Sequence, residues 1–209
     1  MTRLPSGLLL ITDREQARLP LTDICSAALE AGFVGLLVRE KDLDGGALYA
    51  LASPLSDLCR ALGKACLVND RLDVALSIPG PGAHVGKNGM PVALARGLLG
   101  PERLLGYSAH EASEAAEALS HGADYVTVSP IFSSRSKPHL AVRGTAFLRE
   151  CVEKLPRGRV VALGGIDAGN LVDVRRAGTH GAAIMGEVMR AANPRETAAS
   201  LVAAWDNAN

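Results

Sequence analysis

Arg39, Glu40 and Lys41 form one dense charge run, and Asn69-Asp70-Arg71 and Ser134-Arg135-Ser136-Lys137 form two more polar clusters farther along the chain. Cations and hydroxyls with an amide beside a carboxylate suit a phosphate or diphosphate, with Asp70 available to hold Mg²⁺ against the anion. Two apolar runs that end in glycine, Val160 to Ile166 with Gly164-Gly165 and Gly181 to Gly186 with Met185-Gly186, offer backbone N–H groups bare of side chains. Asp167 follows the first as a helix cap. Each feature also has a plainer reading. The glycine turns could be ordinary strand-to-helix connections, the charge run a solvated face, Asp70 the cap of the helix behind it, and residues 134–137 a loop without chemistry.

Those residues need elements that bring them together. Leu8 to Ile11 reads as a first buried strand ending at Thr12-Asp13, and a helix starting at Thr22-Asp23 is closed by Gly32. Val34 to Val38 is a second strand running into Arg39. A long helix from Gly46 to Leu62 is interrupted near Pro54. Ala65 to Val68 leads to Asn69-Asp70, and a short helix runs to Ser77. Ala83 to Val85 leads to Lys87 and Asn88, then to a helix from Pro91 to Leu99. Leu104 to Tyr107 precedes Ser108 and His110, with a helix from Glu111 to His121. Tyr125 to Val128 opens the long loop Ser129 to Gly144 and a helix through Phe147 to Leu155. The two glycine-ended strands complete the set, and Thr197 to Trp205 is the last helix.

Eight alternating strand–helix units imply a closed parallel barrel, an α/β fold of the (β/α)8 TIM type, over residues 1–209 as a single domain. An open doubly wound sheet is the alternative and usually has fewer units. In a barrel the working residues sit at the C-terminal strand ends. That places Asp13, Arg39, Lys41, Asn69, Asp70, Lys87, Asn88, Ser108, His110, the 134–137 loop and the glycines on one rim. His84, inside a very short strand, reads as a core residue. His110 reads as a helix cap or a proton carrier.

Lys plus Arg equals Asp plus Glu at 22 each, so no global field draws the chain to nucleic acid or an anionic membrane. No apolar run approaches the ~20 residues of a spanning helix, and no signal-peptide pattern opens the chain. The expectation is a cytoplasmic protein. Cys25, Cys59, Cys66 and Cys151 are scattered and read as buried free thiols. Oligomeric state is left open.

Several pieces, in order and spacing, resemble the thiamine phosphate synthase and TenI family across almost the whole chain. They are Leu10-Ile11-Thr12-Asp13, Arg39-Glu40-Lys41-Asp42-Leu43, Asn69-Asp70-Arg71, Gly86 with Pro91, and Gly106 with Ser108 and His110. Gly122-Ala123-Asp124-Tyr125, Pro130-Ile131-Phe132, Lys137 and Gly164-Gly165-Ile166 complete the match. The resemblance implies a transferase that joins hydroxymethylpyrimidine diphosphate to thiazole phosphate and releases pyrophosphate. It implies that Arg39, Lys41, Asn69 and Lys137 hold the diphosphate, that Asp70 binds Mg²⁺, and that Ser108 faces the pyrimidine. Gly164, Gly165, Met185-Gly186 and the Ser134-Arg135-Ser136 loop would take the thiazole phosphate.

The chain departs from that pattern at Leu37, where synthases carry Gln, and at Gly89, where they carry a second Mg²⁺ aspartate. Ser134-Arg135-Ser136 replaces Thr-Ser-Thr, and Gly186 stands where a serine is usual. Two other readings therefore stay open: a TenI-type thiazole tautomerase using His110, and a non-catalytic binder of thiamin precursors.

Overall fold

The computed structural model describes residues 3–135 and 141–208. Its strands are β1 (Gly7–Ile11), β2 (Gly35–Val38), β3 (Ala65–Asn69), β4 (Gly82–Gly86), β5 (Leu105–Ala109), β6 (Tyr125–Val128), β7 (Val160–Leu163) and β8 (Gly181–Ile184). All neighbours pair in parallel, in chain order, and β1 closes on β8 through Leu9↔Ala183 and Leu10↔Ile184. The helices are α1 (Leu21–Ala31), α2 (Gly45–Ala61), α3 (Leu72–Ser77), α4 (Val92–Leu99), α5 (Ala112–Ser120), α6 (Gly144–Lys154), α7 (Leu171–Arg176), α8 (Gly186–Met189) and α9 (Pro194–Asp206). The barrel expected from the alternating runs is the fold observed.

The strands are apolar throughout because both of their faces are covered. Leu8, Leu10, Leu36, Val38 and Val68 point outward into the layer shared with the helices. Leu9, Ile11, Leu37, Leu67, Tyr125, Val161 and Ala183 point inward and pack with one another. Each buried Leu or Ile contributes roughly 1.5–3 kcal/mol of transfer free energy, so the filled interior is a packed core with no pore through it.

Several boundaries differ from the sequence expectation. Helix α1 begins at Leu21 behind Pro20, with no side-chain cap, so Thr22 and Asp23 lie in its first turn. Strand β5 runs on to Ala109 and takes in Ser108, which places the serine inside the barrel mouth instead of after it. The eighth unit has two helices, the short α8 and then α9, whose Asn193 side chain accepts from the Glu196 N–H at 3.3 Å ahead of Pro194.

Helix α2 is continuous through Pro54. Its buried stripe of Leu48, Ala52, Leu55 and Cys59 spans the proline, and Asp44 caps the start by accepting from Ala47 N–H at 2.8 Å. Packing on both sides of the break outweighs the lost hydrogen bond, and Pro54 itself faces solvent. Pro54→Ala is expected to raise the unfolding free energy by about 1–3 kcal/mol, read from urea titrations; an unchanged midpoint would contradict this account.

Candidate active site

Thr12 stitches the rim between β1 and β2. Its N–H donates to Leu37 O at 3.0 Å, and its hydroxyl oxygen accepts from Arg39 N–H at 2.9 Å. In the run that follows Lys41 and Asp42 are exposed, but Glu40 is not part of a solvated face. Glu40 is only 6% exposed and accepts from the Arg14 N–H at 3.1 Å. Arg14 also pairs with Asp42 through two guanidinium nitrogens, and the pair holds the Asp42 carboxyl below its ordinary range. Both acids are thus occupied by Arg14, while Arg39 and Lys41 have no ion-pair partner among the described residues.

Lys41, Asn69, Asp70, Arg71, Glu40 and Leu43 line a cleft of about 230 Å³ beside the ends of β2 and β3. Asp70 does not cap α3: Arg71 occupies that position, with no side-chain cap bond. Instead Asp70 has a φ of 58°, its N–H donates to His84 O at 2.8 Å, and its Oδ2 accepts from Asn69 Nδ2 at 2.8 Å. A non-glycine residue held in this conformation carries a cost of order 1–3 kcal/mol, so the surrounding backbone dictates where the carboxylate points. Oδ1 turns toward Gly89, 2.8 Å from where a Cβ would stand. Position 89 therefore faces the Asp70 carboxylate, and this chain leaves it without a side chain.

Inside the mouth lies a polar chain that the sequence reading did not assemble. His84 is buried, with Nδ1 2.9 Å from the Tyr125 hydroxyl and Nε2 2.8 Å from Ser108 Oγ. Gly106 sits between them; any side chain there would overlap both rings. Burial pushes the Tyr125 phenol up and pulls His84 down to about 3, with Arg39 adding to the latter, so both are neutral. Among the described residues the Tyr125 O–H has only His84 to donate to. Leaving that donor unspent would cost roughly 1–3 kcal/mol. Tyr125 therefore donates to Nδ1, His84 Nε2–H donates to Ser108 Oγ, and Thr127 donates to the same oxygen at 3.4 Å. With its oxygen accepting twice, Ser108 has its own O–H left to donate onward into the mouth. The signal was present in the strand alternation, because residues 84, 106, 108, 125 and 127 all fall on inward positions.

His110 stands at the β5 end. Glu114 holds it by accepting from the His110 N–H at 2.8 Å and from the Tyr107 hydroxyl at 2.7 Å. Ser129 O lies 2.8 Å from Nδ1, and a carbonyl only accepts, so Nδ1 carries a proton and the neutral ring keeps its lone pair on Nε2.

Gly164 and Gly165 adopt φ of 105° and 62°. Their first task is close packing against the loop after β6. A Cβ at 164 would stand 2.9 Å from Pro130 Cα, and one at 165 would stand 2.9 Å from the Phe132 carbonyl. Ile131 and Phe132 N–H groups donate to Leu163 O and Gly164 O at 3.0 and 2.9 Å. The plainer reading of the glycines thus holds in part. Yet their own N–H groups donate to nothing among the described residues. Asp167 accepts from Gly169 and Asn170 N–H groups at 2.9 and 3.2 Å, capping the turn into α7.

Met185 packs into the core, so its turn offers backbone only. Gly186 opens α8 with the Arg190 guanidinium lying over it. Arg143 and Gly144 N–H groups donate to Pro130 O and Ile131 O at 2.9 and 3.0 Å, closing the neck of the 129–144 loop. Ser134 is half-buried and Arg135 exposed on that loop, while Ser136 and Lys137 lie outside the described residues.

A second cleft of about 230 Å³ lies at the opposite end of the barrel. There Arg96 pairs with Asp124 at 2.6 Å, and Arg159 donates to Asp124 O at 2.6 Å. Its charges are spent on the strand starts. No described helix is long and apolar enough to cross a membrane.

A family model described as thiamine monophosphate synthase matches residues 8–188. The chain belongs to the thiamine monophosphate synthase family. A thiamine-phosphate synthase of Chloroflexus aurantiacus is 42% identical over 172 residues, covering 80% of this chain and 77% of the relative. One of Nostoc sp. is 37% identical over 191 residues, covering 90% of this chain and 53% of the relative, so this chain spans about half of that protein. The structure of a thiamine phosphate pyrophosphorylase from Pyrococcus furiosus superposes with a TM-score of 0.88 at 30% identity, covering 97% and 96% of the two chains. The resemblance read from the motifs is borne out. In this member of the synthase family Leu37 is part of the apolar floor, 2% exposed among inward-facing Leu and Ile side chains.

Tyr125→Phe removes the donor that fixes His84 and is expected to lower the unfolding free energy by about 1–3 kcal/mol, against a null change if the bond were dispensable. His84 also sets a pH dependence. Its folded pKa lies below its unfolded value of 6.5, so below that pH the unfolded chain takes up a proton that the folded one refuses. Its contribution is constant above pH 6.5 and falls by up to about 1.4 kcal/mol per unit as pH drops toward 3. Urea titrations at pH 7 and 5 are expected to show a smaller acid loss in His84→Gln than in the unsubstituted protein; parallel losses would refute the assignment.

Proposed function

We propose that the protein is a thiamine-phosphate synthase, joining hydroxymethylpyrimidine diphosphate to thiazole phosphate with release of pyrophosphate. The observation that carries the proposal is that Arg39 and Lys41, at the end of β2, have no ion-pair partner among the described residues, with Lys41 lining one rim cleft together with Asn69 and Asp70. A site of unopposed cations on rigid strand ends binds a polyanion without first breaking internal ion pairs.

Asp70 fits a magnesium ion. Its carboxylate is exposed, only Oδ2 is engaged, and this ion accepts few protein ligands when phosphate oxygens and water complete its shell. Bound there, Mg²⁺ would supply charge neutralisation to the diphosphate. Arg39 and Lys41 grip the diphosphate oxygens, with Lys137 joining from its loop. As the bond from the pyrimidine methylene to the diphosphate oxygen breaks, the electron pair leaves with pyrophosphate, and these cations stabilise the charge that grows there. The thiazole nitrogen gives its lone pair to the methylene carbon, forming the new C–N bond. The donor that Tyr125 and His84 free on Ser108 orients the pyrimidine through a ring acceptor. Leu37 and the apolar floor keep water from the cationic methylene. The Gly164-Gly165 amides, the Met185-Gly186 turn and the Ser134-Arg135-Ser136 loop hold the thiazole phosphate.

A second reading draws on His110, whose Nε2 lone pair could move a proton on a thiazole carboxylate phosphate, as a tautomerase does. Assay of both reactions, with and without Mg²⁺, separates the two and also the binding-only case. Thiamin phosphate formation that requires Mg²⁺ and falls at least about a hundredfold in kcat/KM in Asp70→Ala or Lys137→Ala is the expected result. No product at saturating substrates would refute the synthase. Isomerisation lost in His110→Ala would establish the tautomerase in its place.

A further inference from the structure

The seat of Arg190 is not explained by the fold alone. Its N–H donates to Gly186 O at 3.1 Å, so it lies one helical turn beyond the glycine. Side chains one turn on lean back toward the helix start. Here the guanidinium occupies the volume that a side chain at 186 would fill, with Cζ and Nη2 each 2.6 Å from an ideal Cβ. Glycine at 186 is therefore what admits the cation. Nη1 donates to Gln16 Oε1, and Gln16 Nε2 donates to Asp13 Oδ2, so a neutral amide stands between the guanidinium and the nearby acid. Among the described residues Arg190 has no carboxylate partner, and Nε and Nη2 have no acceptor.

A half-buried guanidinium with donors in reserve and no counter-charge is built to receive an anion. Its position restricts which one. The register Leu163↔Ala183 sets the Gly164-Gly165 turn one strand spacing from the Met185-Gly186 turn, and the closed order separates that turn from the Arg39 end of β2 by the single strand β1. We propose that Arg190, admitted by Gly186, is the cation that binds the phosphate group of the thiazole substrate. The inference rests on the reading of this rim as a two-substrate synthase site, and it assigns the charge that bare amides alone do not supply.

Calorimetry with thiazole phosphate, with the unphosphorylated thiazole alcohol and with inorganic phosphate tests it, alongside steady-state kinetics. Arg190→Ala is expected to weaken thiazole phosphate binding roughly ten- to hundredfold, leave the alcohol unchanged, and leave KM for the pyrimidine diphosphate unchanged. Arg190→Lys is expected to recover part of the loss, and Gly186→Ala to reproduce it by displacing the guanidinium. Gln16→Ala removes the tie to the β1 loop but not the cation, and is expected to keep the preference for phosphate over alcohol. Equal losses for phosphate and alcohol in Arg190→Ala, or a loss in Gln16→Ala as large as in Arg190→Ala, would overturn the proposal in favour of a structural tether. Arg190-dependent binding of thiazole phosphate without any turnover would uphold the arginine and sink the synthase reading. Turnover with unchanged thiazole phosphate affinity in Arg190→Ala would do the reverse.

Discussion

Closure of the sheet, β1 against β8, is the constraint on which everything else depends. Until Leu9 and Leu10 pair with Ala183 and Ile184, the rim is an open arc and its two ends lie far apart. Closure places the loop after β1 beside α8, where Arg18 N–H donates to Met189 O at 3.2 Å. It also encloses the interior layer, and enclosure is what keeps His84 dry enough to stay neutral even in mild acid.

Electrostatic order on the rim comes from occupied acids. A chain whose positive and negative side chains balance could have paired them all locally. Instead Arg14 occupies Glu40 and Asp42, Arg71 pairs with Asp73, and Arg143 pairs with Glu111. The cations that remain unopposed at the β2 end are those next to the cleft. Exposed pairs of this sort add little stability, of order 0–1 kcal/mol each. Their effect here is on which positive charges stay available.

The barrel was legible in the sequence because eight apolar runs alternate with helical ones, and a strand covered on both faces leaves an unbroken signature. The rim was legible because strand ends can be counted. Side-chain partnership was not. Glu40 looked like a member of a solvated run, yet its partner Arg14 lies 26 positions away. Asp70 read either as a magnesium ligand or as a cap, and Arg71 at the cap position together with the positive φ of Asp70 shows that it does not cap α3. Ser108 was placed after its strand because the apolar stretch ends at Tyr107, whereas the ladder continues through Ser108↔Thr127. Arg190 gave no signal at all, since its role depends on what a glycine one turn earlier does not contain.

The Gly106 contact has a consequence for how this barrel can diverge. Three positions on three adjacent strands share one volume, so His84, Gly106 and Tyr125 form a steric lock that admits no side chain at 106 while both rings are in place. Any descendant that gains a side chain at 106 must surrender a ring at 84 or 125, and with it the proton order that ends on Ser108. Change at 106 is therefore expected only together with change at 84 or 125, which makes the lock a marker of the lineages that keep this floor.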